Sequence, residues 1–135
     1  VTDNIKQKEK IKAKKIEKTR SGSILNAVKD AAKIADEKKA DYVKILDMRS
    51  RLIITDYFII ISAKNTRLTR RIEEDICFNL KKQKFYPKNI TGASEGNWIL
   101  IDYDDFVIHV FTEQFRQFYD LERLWKDSEE IKWEQ

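Results

Sequence analysis

The chain has 135 residues, 41% hydrophobic and 37% charged, which describes one folded domain and excludes a disordered protein. Its apolar runs, such as Ile59-Ile60-Ile61 and Ile99-Leu100-Ile101, fall far short of the roughly 20 residues of a membrane span, and the lone Cys77 excludes an internal disulfide or a thiolate zinc cluster. The net charge of +4 is uneven: residues 1 to 20 hold eight Lys or Arg against three acids, or +5, so the remainder sets 19 basic residues against 20 acidic ones, or −1.

Residues 1–22 read as a basic, flexible N-terminal extension. They carry no apolar signal segment, and Asp3, Glu9 and Glu17 beside the single Arg20 are unlike an acid-poor transit peptide. A bacterial cytoplasmic location is the expectation, with an organellar one if a targeting segment has been trimmed from the front of the chain. The charge run ends at Ser21-Gly22-Ser23. From Ser23, a suitable N-cap, Ile24, Ala27, Val28, Ala31, Ile34 and Ala35 recur at three- and four-residue spacing and predict a helix ending near Lys38 or Lys39.

Tyr42 to Leu46 reads as a short strand. Tyr57 to Ile61, apolar on both faces, reads as a central one. A second helix is predicted from Thr66, with Leu68, Ile72, Ile76 and Leu80 on one face, ending before Pro87. A weak strand lies near Ile90. Asn97 to Asp102 and Phe106 to Phe111 are two further strands joined by a hairpin turn at Tyr103-Asp104-Asp105. Phe115, Phe118, Leu121, Leu124 and Trp125 have helical spacing, and residues 127–135 form a C-terminal tail of helical character. The expected architecture is α/β: a mixed sheet of four or five strands carrying helices over a domain of residues 23–126. The segment from Tyr57 to Asp102 forms a strand-helix-strand unit, with a right-handed crossover if its strands are parallel.

Several residue groups invite a chemical reading. Asp102, Asp104 and Asp105 could hold a hard cation for nucleotidyl transfer, but aspartates at a turn ordinarily bond nearby backbone N–H groups, and the Ala63-Lys64-Asn65-Thr66 turn has no glycine to admit a triphosphate. The only histidine, His109, sits between Ile108 and Val110 and reads as a core residue with a backbone partner; Cys77 reads as a small core or half-buried residue. The lysines of the extension suit phosphate backbones, as in ribosomal RNA, though no aromatic there could stack on a base. Trp98, Tyr103, Tyr119, Trp125 and Trp133 are many large rings for a small domain, and such rings anchor protein interfaces.

Three stretches together resemble the iojap or ribosomal silencing factor family: Asp41 to Asp47 followed by Ile54 to Ile60; Trp98 to Tyr103 running into Val107 to Phe111; and Arg116-Gln117-Phe118-Tyr119-Asp120-Leu121-Glu122-Arg123-Leu124-Trp125. The resemblance covers about residues 23 to 126. It implies a nucleotidyltransferase-like fold without the catalytic apparatus, no cofactor, no metal and no enzymatic activity. It also implies a partner, large-subunit ribosomal protein fourteen, on the face of the large subunit where the small subunit docks, so that the bound factor blocks joining. Members are homodimers in isolation, which implies the same here. The chain departs from the family pattern at Ala63 and Asp104, where glycine is usual, and at Thr91-Gly92, where the pattern has Glu-Gly.

The expected partner-binding residues are Trp98, Leu100, Asp102, Tyr103, Asp104, Asp105, Tyr119 and Glu122. Strand alternation puts Trp98, Leu100 and Asp102 on one side, the turn acids would meet basic groups of the ribosomal protein, and Tyr119 and Glu122 would extend the face along the last helix. Two other function classes make distinct demands. A metal-dependent nucleotidyltransferase would need Asp102 and Asp104 for turnover, and an RNA-binding module would need residues 1 to 20.

Overall fold

Tyr57 to Ala63 carries no charged residue, and neither does Phe106 to Thr112 apart from His109; such runs suit central strands buried along most of their length. They are the two central strands, paired in parallel over seven residues from Tyr57–Phe106 to Ala63–Thr112. The computed structural model describes residues 2–50, 54–120, 123 and 126–134. Its elements are α1 (Thr2–Glu37), β1 (Tyr42–Asp47), β2 (Tyr57–Ala63), α2 (Thr66–Lys82), β3 (Asn89–Thr91), β4 (Trp98–Asp102), β5 (Phe106–Thr112), α3 (Glu113–Tyr119) and β6 (Glu129–Ile131). The strands form one mixed sheet in the order β3-β4-β5-β2-β1-β6. The α/β class is as expected, with six strands in place of four or five.

Three expectations are corrected. The first concerns the strand-helix-strand unit: β4 pairs antiparallel with β5, which is parallel to β2, so β4 runs against β2 and the parallel crossover closes on β5. The alternating burial of β4 marks a strand wet on one side, whereas β5 is buried along nearly its whole length and takes the central place. The second concerns the C-terminal tail, where residues 129–131 form a strand and not a helix. Ile131 pairs with Ile45 on the core side and Trp133, two residues on, is buried, which is a period of two. The third concerns α1, which begins at Thr2 and not at Ser23, so the basic stretch is helical. Lys, Glu, Gln and Ala are good helix formers, no proline interrupts them, and Gly22 alone is a small cost.

Both long helices lie on one sheet face. From α1 come Ile24, Ala27, Val28, Ala31, Ala32 and Ala35, whose small side chains allow close approach; α2 contributes Ile72, Ile76 and Leu80; all pack on Ile45, Ile59, Ile61, Ile99, Ile101, Ile108 and Val110. Each fully buried Ile or Leu contributes about 2 kcal/mol. The ends of the helices are set locally. The Asn65 side chain accepts the Leu68 N–H at 2.9 Å to cap α2. After α1, Lys39 takes φ +67 while the Ala40 N–H returns to the Ala35 carbonyl. No helix among the described residues is long and apolar enough to cross a membrane.

Candidate functional site

Among the described residues, the opposite sheet face is covered only in part. There β2 presents Phe58 and Ile60, β5 presents Val107, His109 and Phe111, and β4 presents Trp98, Leu100 and Asp102, the alternation expected from the sequence. The short helix α3 caps one end. Thr112 Oγ1 accepts the Phe115 N–H at 3.4 Å at its start, and Phe115 joins a small cluster with Leu46, Met48, Ile60 and Phe111. Beyond the reach of α3 the described residues leave a groove of about 420 Å³, with Phe58, Leu100, Val107 and His109 lining it and Ile54, Thr55, Lys88, Asp102 and Asp104 around them. Ile54 is 82% exposed at its edge.

Trp98 links groove and helix. Its ring stacks on Phe111 (centroids 4.9 Å apart) and lies 5.0 Å from Tyr119, which is about half exposed. Its indole N–H donates to His109 Nδ1 at 3.1 Å. The histidine is a core residue as expected, but its partner is this indole and not a backbone group. Phe58 meets the imidazole edge-on at 5.1 Å, and burial lowers its pKa to about 4, so it is neutral at pH 7. Because Nδ1 accepts, the ring proton resides on Nε2, which has no partner among the described residues.

The aspartates serve the hairpin turn. Asp102 Oδ1 accepts the Asp104 N–H at 2.8 Å, the Tyr103 N–H donates to the Phe106 carbonyl, and the Asp105 carbonyl accepts the Asp56 N–H, tying the turn to the chain entering β2. Asp104 has φ +73, the left-handed conformation that aspartate tolerates and glycine prefers. Its carboxylate lies 3.9 Å from Lys88 Nζ, an exposed pair that adds little stability. Upstream, Gly92 has φ +82, and a Cβ there would lie 2.2 Å from the Trp98 carbonyl oxygen, so Gly92 sets how β4 begins.

Of the expected residues, Trp98, Leu100, Asp102 and Asp104 therefore share one surface with Tyr119 beside it, and Asp105 sits half-buried at the turn. Tyr103 is corrected: it is 6% exposed on the helix-covered face and stacked on Phe106 at 4.7 Å, packed in the same core as the Cys77 thiol. Burial pushes that thiol up, away from reactivity. Trp133 is also buried, while Glu122 and Trp125 lie outside the described residues. Sequence reasoning missed Ile54, Phe58, Lys88 and Val107. Only strand register brings Phe58 opposite Val107, and Val107 opposite Asp102.

A family model described as "Ribosomal silencing factor during starvation" matches residues 21–135. The chain is 33% identical over 101 residues to the ribosomal silencing factor RsfS of Bacillus subtilis, covering 75% of this chain and 86% of that protein. It is 32% identical over 102 residues to the chloroplastic protein Iojap of Zea mays, covering 75% of this chain and 44% of that protein. Among solved structures, one from Bacillus halodurans superposes with a TM-score of 0.68 at 28% identity, covering 81% of this chain and 96% of the other. A crystal structure of a Chromobacterium violaceum protein shares the fold, with a TM-score of 0.73 at 24% identity over 76% of this chain and 86% of that one. The chain belongs to the family of ribosomal silencing factors during starvation.

Proposed function

We propose that the protein binds the large ribosomal subunit through large-subunit ribosomal protein fourteen and, once bound, sterically blocks the small subunit from joining, so repressing translation. The observation that carries this reading is the sheet face that the described residues leave partly open, an apolar floor of Phe58, Leu100 and Val107 with Asp102 and Asp104 at one end and the Trp98–Tyr119 pair at the other. A half-open apolar strip with an acidic edge suits a basic protein surface: the apolar floor supplies affinity, and the acids steer and set register. Asp105 extends the acidic side in this reading, and Glu122 remains a proposed partner contact. Residues 23–126, together with β6 and Trp133, act as the working domain, and the isolated protein is a homodimer in the bacterial cytoplasm. The Iojap relative favours one second reading, an organellar protein acting in large-subunit assembly through the same face.

Leu100→Arg tests the proposal. Leu100 lines the open groove, whereas Trp98→Ala would also remove the stacking on Phe111 and the bond to His109. The variant should keep its thermal unfolding profile and lose about thirtyfold in affinity for isolated large subunits, equivalent to about 2 kcal/mol. A folded Leu100→Arg protein that co-sediments with large subunits like the parent would remove this face from the interface.

A further inference from the structure

The helix α1 is longer than the sheet it covers. Its packed positions Ile24, Ala27, Val28, Ala31 and Ala35 lie within one side of the helix, and in the sequence their three- and four-residue apolar repeat stops at Ile24, giving way upstream to a lysine-rich run. Lys6, Lys8 and Lys10 are exposed. Thr2 to Arg20 is therefore a helical arm about 28 Å long at 1.5 Å per residue.

The lysines of this arm, at positions 6, 8, 10, 12, 14, 15 and 18, run through its whole sequence, and its apolar residues, Ile5, Ile11, Ala13 and Ile16, are too few and too irregularly spaced for the broad apolar face of a helix lying on a membrane or the anchor row of a helix seated in a protein groove. A net +5 beside a domain of net −1 is complementary to a polyanion, and without an aromatic in residues 1–20 it would grip phosphates and not bases.

We infer that residues 2–20 form an RNA-binding arm that contacts phosphate backbone without sequence preference and gives the subunit-bound protein a second anchor on ribosomal RNA. The choice of RNA as the polyanion rests on the ribosome-binding reading above; the phosphate contact itself does not. Linking two contacts through one rigid helix raises overall affinity without any change at the sheet face.

The test compares three full-length proteins on a 20-base-pair RNA duplex by fluorescence anisotropy and on isolated large subunits by sedimentation: the parent, Leu100→Arg, and a variant with Lys6, Lys8, Lys10, Lys12, Lys14, Lys15 and Lys18 all replaced by glutamine. Glutamine keeps helix propensity while the net charge of residues 1–20 falls from +5 to −2. The parent and Leu100→Arg should bind the duplex alike, each losing about a hundredfold between 50 and 200 mM salt, and the glutamine variant should not bind it. On large subunits the glutamine variant should weaken about tenfold and lose most of its salt dependence. The inference is overturned if the glutamine variant retains duplex binding, if the parent fails to bind the duplex at 50 mM salt, or if phosphatidylglycerol vesicles bind the parent as tightly as RNA does. Duplex binding by the arm combined with unimpaired subunit binding by Leu100→Arg would sink the sheet-face reading and leave the arm standing.

Discussion

Acid should weaken this fold through His109. The imidazole is 5% exposed and burial lowers its pKa to about 4, against about 6.5 in the unfolded chain. A histidine held neutral in the folded state contributes stability that is complete above the unfolded pKa and is lost as pH falls from about 6.5 to about 4. Between pH 7 and pH 5 the loss amounts to about 2 kcal/mol, a drop of about 1 M in urea midpoint for a domain of this size. Protonation also puts a hydrogen on Nδ1, which can then no longer accept the Trp98 indole N–H, so the same change loosens the anchor of the proposed face. Urea titrations at pH 7 and pH 5 of the parent and of His109→Gln measure the effect. The parent should show the loss, and the glutamine variant, weaker at both values, should show little of it. Asp47, held low by Arg49, loses its contribution only below about 4 and does not enter this window; Glu73, pushed up by burial, acts in the opposite sense and is common to both proteins. An equal loss in both proteins would show that His109 is not the buried neutral group described.

Other consequences are open to measurement. Gly92→Ala should cost about 2 kcal/mol or more in denaturant unfolding, because the added Cβ meets the Trp98 carbonyl and φ +82 suits few side chains; a neutral result would mean the 92–96 loop does not constrain β4. Asn65→Ala should lower stability by about 1 kcal/mol through loss of the α2 cap, read from the thermal midpoint. Asp104→Lys, at an exposed turn, should leave stability nearly unchanged while slowing association with large subunits and reducing its salt dependence in stopped-flow measurements.

What the sequence shows depends on how local the cause is. The helix α2 is legible because Leu68, Ile72, Ile76 and Leu80 repeat at four residues behind a capping asparagine, and β2 and β5 because seven-residue runs almost free of charge have few other homes. Two errors had a local signal that went unused. The alternation that groups Trp98, Leu100 and Asp102 necessarily groups Tyr103 with Ile99 and Ile101, and Ile131 with Trp133 is an inward period of two inside an acidic segment. The remaining misses had none. Phe58 and Val107 become neighbours of Leu100 only through the pairing of three strands, and β4 opposes β2 only because β5 enters between them. Half of the candidate face was thus visible on one strand, and the half supplied by β2 and by the chain leading into it was not.

If the sheet face keeps the subunits apart as proposed, joining itself reports on it. Light scattering follows the mixing of purified small and large subunits, with the parent protein or with Leu100→Arg present at equal concentration. The parent should suppress the rise in scattering that marks joining, and Leu100→Arg, folded to the same degree, should leave joining close to that of subunits alone. Suppression of joining by Leu100→Arg equal to the parent's would show that this face does not carry the blocking contact.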